Sequence, residues 1–588
     1  MNLNLEYYVS KDTTMPEAEY EVIKNFVNKY KESEYEDKIV EFDSQKLQYF
    51  STLGSNILNW YNFEKDATIL EIGGNLGEIT GVLCKNASKV ISVEEDLKRA
   101  EIISIRHQDK ENLEIIVGDF KNIDFKGMKF DYITLIGSLP YVCNTQGISS
   151  SEFLKQLDGL LKPNGKLLIA VDNRFGIRYF VGNPDLYLNK KFVTLLNYNN
   201  EEQKQETYTR QKLINILDEN NYVAKKFYYP LPDYRIPNVI FSDLELPEYS
   251  NVGKYIPNYH DTSTILFDEI DVFREILKED SSMFTFFTNS FLVEASKNEF
   301  KQQYKFISYN NARKTKYRLI TKIADEYVDK ECVDENACEH YNNIIYNINL
   351  LTSENIKTLD NVTEAKTIRS KYINQEYLLS NVLNKKLEAG DLDEFYKILN
   401  EFYEVIKKSS KQIDKEEKTI FEEYYIEISE EDKKGLFFLK NGLWDMTLKN
   451  CFYIDDEFYL FDQEWKSNNM PAEYILYRSI MYTISLRRFI NIDEIIEKFG
   501  LARYLDLFKK LDEKLQEEIR ENRFWDYFNQ NRYFDIDGTR QEMINMQIRS
   551  DNKDKAIEYL QNRVKELENE RLIEVMKRKA GRWIRRKK

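Results

Sequence analysis

A chain of 588 residues is too long for one hydrophobic core, and domains of ordinary size imply about three or four units. Its 42% hydrophobic content, with 41 Tyr and 35 Phe, excludes a disordered chain, and the formal net charge of −16 excludes nonspecific binding of nucleic acid or anionic lipid over the whole surface. The five cysteines, Cys84, Cys143, Cys332, Cys338 and Cys451, make no CxxC pair and no zinc-spaced cluster. The N-terminal MNLNLEYYVSKDTTMPE lacks the basic-then-apolar order of a signal peptide, and no uninterrupted apolar stretch of about 18 residues is present to span a bilayer. A cytoplasmic protein with reduced cysteines and, at most, peripheral contact with the inner face of the membrane is the expectation.

Residues 1–40 read as an N-terminal extension. From 41 to 298 strand-like runs alternate with helical stretches: ATILEIGG, KVISVEE, LEIIVGD, FDYITLIG and, after the turn Lys162-Pro163-Asn164-Gly165, GKLLIAVDN. Such alternation predicts a parallel α/β sheet whose ligands bind beyond the carboxyl ends of the strands. Glu71 ends the first strand, Gly73, Gly74 and Gly77 follow it, Glu94 closes the second and Asp119 the third. GGNLG lacks the GxGxxG spacing that cradles a dinucleotide pyrophosphate. The set Glu-x-Gly-x-x-x-Gly, Val-Glu and Gly-Asp resembles the class I S-adenosylmethionine-dependent methyltransferases. That resemblance implies a Rossmann-like, seven-stranded domain in which Glu71, Gly73, Gly74 and Gly77 hold the methionine portion of S-adenosyl-L-methionine, Glu94 the ribose and Asp119 the adenine.

The methyl acceptor is less legible. Gly137-Ser138-Leu139-Pro140-Tyr141 is faintly similar to the Asn-Pro-Pro-Tyr loop of amino-group methyltransferases, with Ser for Asn and Leu for the first Pro. Asn173, Arg174 and Arg178 follow the fifth strand, where an arginine either clamps an anionic acceptor or is a solvated charge. The helical run TRQKLINILDENNY and the strand-like runs VAKKFYYPLPDY and NSFLVEAS continue the domain, and the resemblance implies that the two strands form an antiparallel pair completing the sheet. The insertion of about fifty residues between them is a lid, an acceptor platform or a covering loop.

From 303 short alternating runs, YKFISYN, YRLITKI and EYVDKEC, precede a helix over 334–351. Three antiparallel strands and a helix resemble a kinase small lobe, with Lys330 where such lobes place the ATP-gripping lysine and Glu335 or Glu339 as its helix partner. No Gly-rich loop accompanies them. Asp445 and Asn450 carry the Asp-x-x-x-x-Asn spacing of a kinase catalytic loop, and the strand Phe458–Phe461 delivers Asp462. A carboxylate must meet the acceptor hydroxyl while an amide oxygen and a second carboxylate hold Mg²⁺ on ATP. With Trp444 before Asp445 and Gln463-Glu464-Trp465 after Asp462, residues 303–500 resemble the aminoglycoside- and choline-kinase branch. The resemblance implies a bilobal α+β fold with Asp445 as base, Asn450 and Asp462 as magnesium ligands and Lys330 on ATP; a noncatalytic pseudokinase is the alternative.

A helical extension over 501–552 leads to 553–588, where Ile557, Leu560, Val564 and Leu567 follow an a/d rhythm, predicting a short coiled coil or one amphipathic helix. In the last twelve residues, KRKAGRWIRRKK, eight are basic, suited to anionic headgroups, to an acidic partner or to solvent. Methyltransferase, kinase-like unit and C-terminal helix together resemble bacterial bifunctional methyltransferase/kinases of the WbdD type, which cap surface polysaccharides by phosphorylating the terminal sugar and methylating the added phosphate. The resemblance implies a glycan or glycan-precursor acceptor, glycosyltransferase partners, and S-adenosylmethionine and MgATP as cofactors; no specific nucleic-acid binding is expected of so acidic a chain. The alternative is methylation of a protein or nucleic-acid amine with the second unit as a binding module.

Overall fold

The computed structural model describes residues 3–10, 15–40, 44–199, 201–202, 204–252, 267–333, 335–364, 366–413, 417–523 and 536–586. Fourteen strands form one mixed sheet: β1 (Leu3–Asn4), β2 (Thr68–Ile72), β3 (Lys89–Glu94), β4 (Leu113–Val117), β5 (Phe130–Ile136), β6 (Leu161–Asp172), β7 (Ala224–Leu231), β8 (Val239–Ser242), β9 (Ser290–Ser296), β10 (Phe306–Tyr309), β11 (Leu319–Ile323), β12 (Tyr327–Cys332), β13 (Asn361–Glu364) and β14 (Thr367–Lys371). Their spatial order is β1-β4-β3-β2-β5-β6-β9-β7-β8-β10-β11-β12-β14-β13. The strands β2 to β6 run parallel, and both faces of this part are covered, which is why they read as unbroken apolar runs. Period two divides them: Leu70, Ile91, Ile133 and Leu167 enter one core, while Ile69, Val90, Tyr132 and Leu168 enter the other.

Seven of these strands, in the order β4-β3-β2-β5-β6-β9-β7, make the expected Rossmann-like unit, with β9 antiparallel to both neighbours. The strands are added outward in opposite directions from β2 and β5, which run parallel, and the open end of the crevice between them is where such sheets take ligands. The Lys162–Gly165 stretch expected as a turn is instead carried inside β6 as an irregularity, Phe130 pairing with Leu161 and Tyr132 with Lys166.

The sheet does not stop at the seventh strand. A hairpin adds β8 to β7, and β10 pairs antiparallel with β8 through Phe306–Phe241, Ile307–Ile240 and Ser308–Val239. The five antiparallel strands β10, β11, β12, β14 and β13 therefore prolong the first sheet instead of forming a separate one. Trp60, Tyr228, Tyr304, Ile307 and Ile320 share one core across the junction. Residues 253–266 of the insertion lie outside the described residues; its Glu269–Glu279 helix buries Phe273 and Leu277 in the first core.

The first forty residues are woven in as well. Strand β1 lies parallel to β4, and the Glu17–Lys29 helix packs on the Leu97–Arg106 helix. Glu32 pairs with Arg106 at 2.5 Å, and four residues later Glu36 takes both terminal nitrogens of buried Arg318 at 2.7 and 2.6 Å. One short segment thus braces the first unit against the loop that precedes β11.

The remaining core gathers helices Leu379–Glu388, Leu392–Lys408, Ala472–Met481 and Leu505–Ile519 around two hairpin-like pairs, β15 (Phe438–Leu443) with β18 (Lys466–Pro471) and β16 (Cys451–Ile454) with β17 (Glu457–Leu460). Phe508, Leu511 and Leu515 belong to it, so it runs past residue 500. A single 51-residue helix, Ile536–Arg586, follows, with Ile557, Leu560, Val564 and Leu567 about half exposed. The side chains of the basic tail from residue 580 onward lie outside the described residues. Among the described residues no helix is long and apolar enough to cross a membrane.

Candidate functional site

The open ends of β2, β3, β4, β5 and β6 surround a cavity of about 480 Å³, within the range that encloses small ligands. Gly73 forms its floor at φ +80°, and a Cβ there would lie 2.6 Å from the Ser138 Cβ, so only glycine fits. Gly77, at φ +82°, would bring a Cβ 2.9 Å from His107, whose Nε2 lies 2.7 Å from the Gly77 carbonyl. Asn75 fills the turn at φ 51°, a left-handed conformation asparagine tolerates, and its backbone N–H donates to Glu94 at 2.9 Å.

The predicted residues separate into two groups. Gly73, Glu94 and Asp119 line the cavity. Glu71 is buried behind the turn, accepting from the Thr80 and Ser92 hydroxyls at 2.7 and 2.6 Å, while Gly74 lies over Ser92 and Gly77 over His107. These three shape the turn and do not border the cavity. Burial pushes Glu71 up to about 7. It does the same to Glu94, only partly offset by Arg99 and by the backbone N–H groups of Asp96 and Asn75. Six carboxylates, Glu78, Glu94, Glu95, Asp119, Asp172 and Asp185, line the cavity against two arginines, Arg99 and Arg235. That balance suits a cationic sulfonium and opposes a polyanion.

The three acceptor-side residues expected from sequence do not line this cavity. The Asn173 amide straps the backbone carbonyls of Phe286 and Thr288, both at 2.7 Å. Arg174 donates to the Leu195 carbonyl, and Arg178 is buried on Asp233 at 2.6 Å. The arginine that borders the cavity on this side is Arg235, which reaches Asp172 at 2.9 Å and Asp233 at 3.0 Å beside Tyr234. Arg235 comes from the loop between β7 and β8, about sixty residues beyond β6 in sequence, so proximity along the chain did not point to it. Ser138 and Tyr141, from the faint GSLPY motif, do line the cavity, with the Tyr141 hydroxyl donating to Glu95 at 2.6 Å.

A second polar cluster sits where the five-stranded extension meets the C-terminal core, beside a mainly apolar cavity of about 290 Å³. Lys330 projects from β12 onto Asp462 and onto Glu464, the latter at 2.5 Å. The expected helix partners do not take part: Glu335 and Glu339 are exposed, and the Cys338–Ser353 helix instead sends His340 to Glu464 at 3.1 Å. Arg313, from the loop between β10 and β11, also pairs with Glu464. That loop supplies a cation that its sequence, Asn311-Ala312-Arg313-Lys314, did not single out.

Asn450 donates to the Asp445 carbonyl at 3.1 Å, and the Glu464 backbone N–H donates to the Asp445 carboxylate at 3.3 Å. Burial, then the Glu464 carboxylate, pushes Asp445 up to about 7. Glu464 is held well below the ordinary carboxylate range by Arg313, Lys330 and His340, whose attraction outweighs its burial. Lys330, Asp445, Asn450 and Asp462, spread over more than a hundred residues of sequence, are thereby brought together. Such a set can orient a hydroxyl, hold a divalent cation and neutralise phosphate charge.

Residues 45–225 match a family model described as a methyltransferase domain. The ribosomal RNA small subunit methyltransferase A of Mycoplasma mycoides subsp. mycoides is 27% identical over 208 residues, covering 34% of this chain and 70% of that protein. An rRNA adenine N-6-methyltransferase of Bacillus licheniformis is 32% identical over 104 residues, covering 18% of this chain and 35% of that protein. A solved S-adenosylmethionine-dependent methyltransferase from Aquifex aeolicus is 14% identical, with 33% of this chain and 89% of that one covered and a TM-score of 0.23. The chain therefore spans about a third of the Bacillus relative's length.

Proposed function

We propose that this chain, whose residues 45–225 are a class I S-adenosylmethionine-dependent methyltransferase domain, joins methyl transfer to phosphoryl transfer on a cell-surface glycan or its precursor. The observation that carries the reading is the convergence of Lys330, Asp462 and Glu464 beside Asp445 and Asn450, next to a cavity, in a chain that also holds the acid-rimmed donor cavity. S-adenosylmethionine supplies a methyl group activated on a sulfonium, and MgATP supplies the phosphoryl group.

The residues fit both groups. Gly73 leaves room for close approach, Glu94 would accept the ribose hydroxyls and Asp119 the adenine edge; the first domain would mainly hold the reactants in line and exclude water. Arg235, by exchanging Asp172 for an acceptor oxygen, positions the acceptor. In the second site Asp445 orients the acceptor hydroxyl and takes its proton, a role matched by a carboxyl raised toward neutrality. Asn450 and Asp462 would hold magnesium, and Lys330 would neutralise phosphate charge. Mass spectrometry of surface glycans from cells lacking the chain tests the pairing: loss of a methyl and a phosphate together supports it, and an unchanged glycan refutes it.

A second reading, methylation of an amine in nucleic acid with the C-terminal unit as a binding module, is favoured by the rRNA methyltransferases among the relatives. Six carboxylates against two arginines around the cavity, and a net charge of −16, weigh against a polyanionic acceptor.

The raised Glu94 gives a pH dependence of known sign. Its folded value of about 7 exceeds the ordinary 4.5, so this group favours the folded state most at low pH, and that contribution is lost as pH rises through about 7. Ribose hydroxyls donate to the ionised form, so binding lowers the value again. S-adenosylhomocysteine affinity is expected to fall by up to about tenfold per pH unit below 7, with proton release on binding near pH 7. Calorimetry in buffers of different ionisation heat reads both; proton uptake would contradict the assignment.

The half-exposed apolar stripe Ile557, Leu560, Val564 and Leu567 on the 51-residue helix fits self-association through a coiled coil. A chain ending at residue 523 is expected to sediment as a smaller assembly than the full chain while binding S-adenosylhomocysteine unchanged. Identical oligomeric state in the two would remove that role.

A further inference from the structure

The Sγ atoms of Cys332 and Cys338 lie 3.1 Å apart, closer than two unbonded sulfurs ordinarily sit. Cys332 is the last residue of β12, two after Lys330, and Cys338 is the first of the Cys338–Ser353 helix, two before His340. The two side chains that grip Glu464 from strand and helix are therefore each tied, two residues away, to one member of a sulfur pair. Cys332 is buried, whereas Cys338 is partly exposed and reachable from solvent. The other three cysteines are buried and make no such pair among the described residues.

We propose that Cys332 and Cys338 are a dithiol modification site that a low-molecular-weight disulfide such as oxidised glutathione converts reversibly to an intramolecular disulfide, stapling the lysine-bearing strand to the helix. The Cys338 thiolate attacks one glutathione sulfur and expels glutathione thiolate, giving a mixed disulfide. Cys332 then gives up its proton, its thiolate attacks the Cys338 sulfur, and the second glutathione leaves as a thiolate that takes up that proton. Two protein thiols and one glutathione disulfide become one protein disulfide and two glutathione thiols, the protein losing two hydrogens. Burial and the neighbouring Cys338 thiol push Cys332 up to about 12, which leaves the partly exposed Cys338 as the point of entry. The staple fixes the spacing between Lys330 and His340, and the site stands without the nucleotide reading.

Full-length protein treated with oxidised glutathione, alkylated and digested with trypsin tests it. Peptide 331–357, which contains both cysteines, is expected to lose the mass of two hydrogens and to regain it with dithiothreitol. Amide exchange at the start of the helix is expected to slow by about tenfold or more, because closing so short a loop restricts local opening. In Cys332→Ser the glutathione is expected to remain on Cys338 as an adduct. Should that variant fail to fold, phenylarsine oxide on the wild type gives a second measurement, since it bridges only adjacent thiols and is expected to protect both from alkylation. Two unmodified thiols, a persistent glutathione adduct on the wild type, or a disulfide to any other cysteine would overturn the proposal.

Discussion

Glu94→Gln is expected to weaken S-adenosylhomocysteine binding by about a hundredfold at pH 8. Glu94 ends β3 on the cavity rim with two backbone N–H groups, from Asn75 and Asp96, already orienting it. Replacing the carboxylate leaves one acceptor oxygen where two ribose hydroxyls require two. Hydrogen bonds to a charged group contribute about 1.5–3 kcal/mol each, and every 1.4 kcal/mol is about tenfold in affinity. The fold should survive, because burial already disfavours the charge that glutamine removes. Thermal unfolding separates the two effects: a variant with an unchanged melting temperature and unchanged affinity would show that Glu94 does not hold the ligand.

Asp462→Asn is expected to abolish magnesium-dependent ATP binding. Asp462 sits at φ 55°, a conformation asparagine adopts readily, so the backbone is not strained by the change. What is lost is the negative charge that pairs with Lys330 and would hold the metal against the phosphates. Glu464, still paired with Lys330, Arg313 and His340, keeps the surrounding cluster in place. Equal magnesium-dependent heats from wild type and variant would remove Asp462 from the site.

The parallel strands were legible because a strand covered on both faces is apolar throughout, and the glycine or acid that ends the run marks the crevice. Gly73, Glu94 and Asp119 emerged by that logic. Glu71 was legible as part of the pattern, but nothing along the chain distinguishes a carboxylate that faces a ligand from one that accepts Thr80 and Ser92 behind the turn. Arg235 stayed hidden because a loop between two later strands carries it over the cavity. Arg174 and Arg178 looked better placed until the structure gave their charges to the Leu195 carbonyl and Asp233.

The fusion of the two sheets was equally illegible. Strands β8 and β10 have four residues each, and their pairing is a register match between distant edges, not a local pattern. The partner of Lys330 was sought on the following helix, where kinases place it. It lies two residues beyond Asp462 instead, with His340 taking the helix position. The two heptads visible after residue 553 are part of a helix that begins at Ile536, since polar residues on an exposed helix disguise its length.

One preparation of the full chain, titrated by calorimetry with S-adenosylhomocysteine and then with MgATP, decides whether the molecule carries two separate sites. Each ligand is expected to bind once per chain, with Glu94→Gln losing the first and keeping the second and Asp462→Asn doing the reverse. Absence of magnesium-dependent ATP binding in the wild type, or loss of both ligands in either single variant with its fold intact, would contradict the account.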